Sequence, residues 1–192
     1  MFARQINYAA LMSTLTGKPI TEVIDALSKD LPFDWADAYI MMPGAGTEIS
    51  VIPLGGYVYL FDHKAERVVV AYGLSSKNSM PRDNNRICEF LKKIAGRFQG
   101  RTDKGHIMSH AQGGGLDINL FPQRPDVNRG RRTSQDGVVY RELERYCSSN
   151  PGAFCFSRLL YNDTSWVPNE IEYGVLYHAK QFRVERITNA PM

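Results

Sequence analysis

The sequence predicts an α+β fold in which antiparallel strands frame a site built from loops. Several short segments rich in Val, Ile and Tyr are separated by Gly, Pro or charged turns, and three other segments carry apolar residues at helical spacing. Residues 100–135 are dense in Gly, Pro, Asp, Asn and Arg and show little periodicity, which is typical of a functional or mobile segment. With 192 residues, 43% of them hydrophobic, the chain can bury the core of one domain.

The first 80 residues predict a helix followed by an antiparallel meander. Ile20, Val23, Ile24 and Leu27 form an apolar stripe, which predicts a helix over 19–29 with Pro19 in its first turn. Strands are predicted at 36–42, 48–52, 56–61 and 66–72. We expect residues 1–80 to pack on the same domain as residues 81–192.

The rest of the chain predicts two further helices and three closing strands. A polar loop is expected over 75–85. A helix through Ile87, Phe90, Leu91 and Ile94 should follow and end at Gly96. The apolar stripe formed by Val139, Leu143, Tyr146 and Cys147 predicts another helix that ends near residues 150–152. The closing strands are expected at about 153–161, 170–177 and 182–187.

The positive charge is confined to the middle of the chain. The net charge is +3, yet residues 81–145 hold 13 Lys and Arg against 8 Asp and Glu. Residues 1–80 hold 6 against 8, and residues 146–192 hold 4 of each sign. A basic segment in this setting indicates a polyanionic partner, with a merely solvated surface as the alternative.

Cysteine usage and hydropathy argue against several protein classes. Three cysteines without C-x-x-C spacing do not suit a disulfide framework or a zinc ribbon. They indicate reduced, mostly buried thiols, although a bridge between Cys147 and Cys155 stays open. No apolar run approaches the roughly 20 residues of a membrane span, and the N-terminus lacks the pattern of a cleavable signal peptide. We therefore expect no membrane partner and a cytoplasmic location, or export without a cleavable signal peptide.

Four motif elements follow one another between residues 103 and 144. They are Asp103-Lys104-Gly105-His106, Asn119-Leu120-Phe121-Pro122-Gln123, Asn128, and Tyr140-Arg141-Glu142-Leu143-Glu144. In order and spacing they resemble the DNA/RNA non-specific endonuclease family, a branch of the ββα-metal (His-Me finger) nucleases. The resemblance covers about residues 80–190 and implies a ββα-metal nuclease core framed by the sheet. Lys104 stands where the family has Arg, and residues 131–137 look like an insertion.

The resemblance implies a metal-dependent hydrolase that cuts DNA, with RNA left open as a second substrate. His106 would be the general base, because an imidazole titrates close to neutral pH. Asn128 would hold Mg²⁺ or Mn²⁺, Glu144 would anchor the metal shell through water, and Asn119 would orient His106 or bind the scissile phosphate. The expected phosphate-binding side chains are Lys104, Arg124, Arg129, Arg131 and Arg132.

Two carboxylates compete for the metal, and helical geometry separates them. Glu142 and Glu144 lie two residues apart, so their side chains point roughly 200° apart on a helix. Glu144 shares the face of Tyr140 and follows Leu143 directly, as in the family motif. We therefore expect Glu144 to face the site and Glu142 to face solvent, where it can pair with arginines.

Each candidate residue also has an ordinary structural interpretation. His106 could be a loop histidine, the two asparagines could be turn residues, and Glu144 could be a solvated carboxylate paired with Arg141 or Arg145. A zinc pair of His106 and His110 is disfavoured, because no Glu follows the first histidine. The ordered set favours a nuclease. The alternatives are a nuclease toxin or effector with an inhibitor protein as partner, and a non-catalytic nucleic-acid-binding protein.

Overall fold

The computed structural model describes residues 5–78, 102–177 and 181–190. The helices are α1 (Tyr8–Thr14), α2 (Ile20–Ile40), α3 (Pro125–Asn128) and α4 (Gln135–Ser149). The strands are β1 (Ile49–Leu54), β2 (Tyr57–Asp62), β3 (Arg67–Leu74), β4 (Asp103–His106), β5 (Leu120–Gln123), β6 (Phe154–Leu160), β7 (Glu170–Tyr177) and β8 (Gln181–Thr188). Six of them form an antiparallel sheet in the order β1-β2-β3-β6-β7-β8, and β4 and β5 form a separate hairpin. This arrangement confirms the predicted α+β class with an antiparallel sheet.

One face of the large sheet is covered by α1 and α2. Trp35 of α2 is fully buried against the rings of Tyr72 and Phe156, which oppose each other in β3 and β6. Tyr8 of α1 donates to a Glu172 carboxylate oxygen at 2.5 Å and accepts from the Trp35 indole at 3.0 Å. The strands that precede residues 79–101 in the sequence and the strands that follow them therefore share one sheet and one core.

The strand predicted at 36–42 is wrong, and the helix predicted over 19–29 is too short. The stripe of buried residues in α2 continues past Pro32 through Leu31, Trp35 and Tyr39. An internal proline costs a helix about 3 kcal/mol or more. Burial of each large side chain contributes about 1.5–3 kcal/mol, so the apolar stripe outweighs the proline.

The opposite face of the sheet carries α4 and the loop that follows β4. Tyr140 of α4 packs edge-to-face on Tyr173 of β7, whose hydroxyl exchanges hydrogen bonds with the buried Gln112 side chain at 2.8 and 2.9 Å. Cys147 and Cys155 are both buried and free, so no bridge joins them. The hairpin and α4 are therefore fixed to the sheet by an aromatic and apolar layer.

The other strand predictions fall close to the observed elements. The segments predicted at 48–52, 56–61 and 66–72 correspond to β1, β2 and β3, and the three closing strands correspond to β6, β7 and β8. The helix predicted around Ile87 and Ile94 lies outside the described residues. No helix of the described part of the chain has the length and apolar character needed to cross a membrane.

Candidate active site

The hairpin places His106 at the end of β4. His106 opposes Leu120 and Lys104 opposes Pro122 in the antiparallel register. A glycine is required before His106, because a Cβ at position 105 would overlap the side chain of Gln123. The third residue of the Asp-Lys-Gly-His element is therefore required by packing within the hairpin.

Asn119 organises the loop between the two strands of the hairpin. Its side chain has no exposed surface. The amide oxygen accepts from the Met108 N–H at 2.8 Å, and the amide nitrogen donates to the carbonyls of Met108 and Gly115, also at 2.8 Å. A Cβ at Gly114 would overlap the Met108 carbonyl, so a glycine is required where the loop approaches its own backbone. A direct contact of Asn119 with a phosphate does not fit this burial, and its three hydrogen bonds hold the loop that follows His106.

Asn128 ends α3 and is oriented by Asp103 of the hairpin. The Asn128 amide nitrogen donates to Asp103 Oδ2 at 3.2 Å. Arg129 binds both oxygens of the same carboxylate at 2.7 Å, while its own side chain stays 42% exposed. Because Asp103 takes the amide nitrogen, the amide oxygen of Asn128 is the atom left for a ligand.

Two neighbouring residues of α4 connect the motif elements. The Tyr140 hydroxyl donates to the His106 carbonyl at 3.0 Å. Arg141 donates to the Asn128 carbonyl and to Glu144 Oε2, each at 2.9 Å. Burial and the charge of Glu144 raise the pKa of Tyr140 well above its ordinary value, so its hydroxyl stays a donor. His106, Asn128 and Glu144 are thereby linked through one helix.

The two carboxylates of α4 have different surroundings. Glu144 is buried, with 8% of its surface exposed, and pairs with Arg141. The Glu142 side chain is 53% exposed and pairs with Arg183 of β8 at 2.7 Å. The hydrogen bond from Arg183 lowers the pKa of Glu142. The inward and outward directions thus agree with the helical argument, whereas the role of Glu144 toward a metal stays a prediction.

The arginines expected to bind phosphate divide into two groups. Arg124 is only 11% exposed and binds Asp126 at 2.7 Å and Asp136 at 3.0 Å, so its guanidinium is occupied by the protein itself. Phosphate binding by Arg124 stays a prediction, and its pairing with two aspartates counts against that role. Arg131 and Arg132 are exposed, and Lys104 is half-buried on the hairpin. These three cations stay candidates for the substrate, and Arg129 would have to share its charge with Asp103.

The residues present suit an oxygen-binding divalent ion. In the part of the chain that the structure describes, no group of three or more His, Cys, Asp and Glu could hold a metal. Mg²⁺ keeps several waters and needs only one or two protein oxygens. The half-buried Asn128 amide oxygen can supply one direct ligand, and the Glu144 carboxylate can accept from metal-bound water. The chemistry of this donor set fits the expected Mg²⁺ or Mn²⁺.

Sequence reasoning missed the bridging function of Arg141. Its pairing with Glu144 was one of the open alternatives, and the spacing of three residues on a helix was the available signal. Its second bond, to the Asn128 carbonyl, depends on how α3 packs against α4 and has no local signal. The clasp formed by Arg124 with Asp126 and Asp136 was missed for the same reason.

Comparison with known proteins gives a likeness to solved structures only. No protein-family model matches the sequence, and no curated protein matches it. A solved structure described as an extracellular endonuclease is similar, with a TM-score of 0.47 and 14% identity over 74% of this chain and 84% of that chain. The case for the function of this chain therefore rests on its own residues.

Proposed function

We propose that the chain is a metal-dependent endonuclease that hydrolyses the phosphodiester bonds of DNA, and of RNA as a second substrate, with little sequence preference. The observation that carries this proposal is the link made by Tyr140 and Arg141 of α4, which joins His106, Asn128 and Glu144. These residues come from three separate elements of the motif. The bonds end on the backbone carbonyls of His106 and Asn128 and on the Glu144 carboxylate, so one helix fixes the positions of all three residues.

The proposed chemistry assigns a distinct task to each side chain. The His106 imidazole takes a proton from the attacking water as the water oxygen bonds to phosphorus. The bond from phosphorus to the leaving sugar oxygen breaks, and solvent protonates that oxygen. Tyr140 holds the backbone of His106 through its carbonyl, and Asn119 holds the loop that follows. Lys104 lies two residues before His106 on the same strand and neutralises a substrate phosphate. When Mg²⁺ is bound by Asn128 and Glu144, it supplies charge neutralisation at the phosphate and the leaving oxygen.

The absence of sequence preference follows from the kind of contacts proposed. Exposed Arg131 and Arg132 and half-buried Lys104 can bind phosphates, which carry no sequence information. The net charge of +5 on residues 81–145 attracts a polyanion and so favours these contacts.

Incubation of the purified protein with supercoiled plasmid tests the proposal. We expect cleavage in Mg²⁺ or Mn²⁺, none in EDTA, and fragments without a discrete pattern. Asn128→Ala should need a higher Mg²⁺ concentration for half-maximal rate, whereas Asn162→Ala, at an exposed asparagine after β6, should not. Binding without cleavage in any divalent ion would instead identify a non-catalytic nucleic-acid-binding protein. A stoichiometric zinc held by His106 and His110 would overturn the metal assignment.

A further inference from the structure

A small apolar pocket lies between the hairpin and the end of the large sheet. Its volume is about 130 Å³. Its walls include Phe61, Val68, Leu120, Pro122, Tyr161 and Trp166. One water needs only about 10–15 Å³, and pockets for drug-sized ligands are about 300–1,000 Å³. The pocket therefore has room for a group of several atoms, such as one aromatic ring, but not for a drug-sized ligand.

The register of the hairpin places this pocket beside the candidate active site. Leu120 opposes His106, and Pro122 opposes Lys104. Directly opposed residues of an antiparallel pair lie on the same face. The face that carries the proposed general base and the proposed phosphate contact therefore also carries two walls of the pocket.

One wall of the pocket is held rigidly by a buried cation. Arg67 is 3% exposed and lies 4.0 Å from the centre of the Tyr161 ring. Its guanidinium donates to the carbonyls of Asp163 and Ser165 at 3.0 Å, which fixes the turn that leads to Trp166. A preformed wall lowers the entropic cost of binding a flat ring.

The mouth of the pocket carries acidic side chains. Glu66 and Asp117 line it, and both are exposed. They are the two non-glycine residues of the described chain with a left-handed backbone, at φ 52° and 60°. Glu66 lies in the turn between β2 and β3, and Asp117 lies in the loop between β4 and β5, so both segments border the pocket.

We propose that this pocket receives one unstacked base of the nucleic acid, next to the phosphate that is cut. The inference rests on the proposed nuclease function and goes further by assigning a base site. Partly exposed Trp166 and Phe61 offer rings on which a base stacks, an interaction that tolerates every base and so leaves sequence preference weak. A duplex must first unstack and unpair that base, so single-stranded substrate is favoured.

Tryptophan fluorescence in EDTA tests the base site without cleavage. The chain has two tryptophans, of which Trp35 is fully buried and Trp166 is partly exposed at the pocket. A single-stranded DNA 12-mer should quench the Trp166 signal. Trp166→Ala should weaken binding of the 12-mer, measured by anisotropy of an end label, by roughly 5- to 150-fold. The matched control is Phe33→Ala, at a 72% exposed aromatic residue on α2, which should bind as wild type does.

A second measurement needs no variant. Wild-type protein with Mg²⁺ should cut a single-stranded 12-mer faster than its duplex, and an abasic residue next to the main cut should slow that cut at least fivefold. If intact and abasic strands are cut equally and the fluorescence does not change, the base site is refuted while the nuclease proposal stands. The pocket would then suit an apolar side chain of a protein partner. If nothing is cut and nothing binds, the proposed function itself fails.

Discussion

Arg124 gives the sharpest test of the distinction between structural and substrate-binding arginines. Its guanidinium joins Asp126 of α3 to Asp136 in the first turn of α4, and so connects the helix that ends at Asn128 to the helix that carries Glu144. Arg124→Ala should leave both aspartates without their cation. We expect the free energy of unfolding to fall by about 2 kcal/mol at pH 7, with a corresponding drop in the urea midpoint.

The size of the expected loss in unfolding free energy is derived from the pKa of the Asp126 carboxyl. The hydrogen bond from Arg124 lowers the pKa of Asp126 to about 2, against about 3.9 in an unfolded chain. A tenfold change in proton affinity corresponds to about 1.4 kcal/mol, which gives an upper bound of about 2.5 kcal/mol. Screening by solvent lowers the contribution of the Asp126 ion pair below this bound. The ion pair between Arg124 and Asp136, whose side chain is 30% exposed, adds about 0.5 kcal/mol.

The stabilisation that Arg124 gives should depend on pH, because it requires an ionised Asp126. Because the folded-state pKa of Asp126 is depressed, its stabilisation is fully present above about pH 4 and is lost as the pH falls toward 2. The difference between wild type and Arg124→Ala should therefore shrink over that range. Arg132→Ala, at an exposed arginine, should change unfolding by less than about 0.5 kcal/mol. If Arg124→Ala keeps wild-type stability and loses only nucleic-acid affinity, Arg124 binds phosphate after all.

Three further predictions concern the site and its surface. Glu144→Gln should lower Mg²⁺-dependent plasmid cleavage by about 10- to 100-fold, and equal losses in Glu142→Gln would contradict the assignment. Asn119→Ala leaves the buried amide and carbonyl of Met108 without partners and should destabilise the protein by about 2–4 kcal/mol in urea unfolding; an unchanged midpoint would count against this role. Arg131→Ala should reduce the slope of log affinity against log salt by about one, and an unaltered slope would remove it from the interface.

The sequence was sufficient for the elements whose pattern is local. The strands β1 to β3 and β6 to β8 follow from Val-, Ile- and Tyr-rich segments between turns. The last residues of α2, 36–40, were mistaken for a strand, because Pro32 interrupts the helical pattern and Tyr39 and Ile40 suit a strand by propensity. Burial against the sheet decides in favour of the helix, and that is a tertiary effect.

In the candidate site, too, the features with a local sequence pattern could be predicted and those set by contacts between distant segments could not. Helical rotation showed that Glu142 and Glu144 point apart, and the resemblance to the family motif selected Glu144 as the inward one. The sequence could not show that the Asn119 side chain bonds to the loop of the hairpin, or that Arg124 pairs with Asp136. Both depend on distances between segments that the residue pattern does not encode.

The measurement that tests the central claim most directly compares His106→Ala with His110→Ala. The two histidines are four residues apart in the sequence, and only His106 is proposed to take the proton from the attacking water. With labelled DNA and Mg²⁺, His106→Ala should cleave about 10²- to 10⁴-fold more slowly than wild type while binding DNA with nearly the same affinity in EDTA. His110→Ala should cleave within a few-fold of wild type. Cleavage by His106→Ala at close to the wild-type rate would contradict the account.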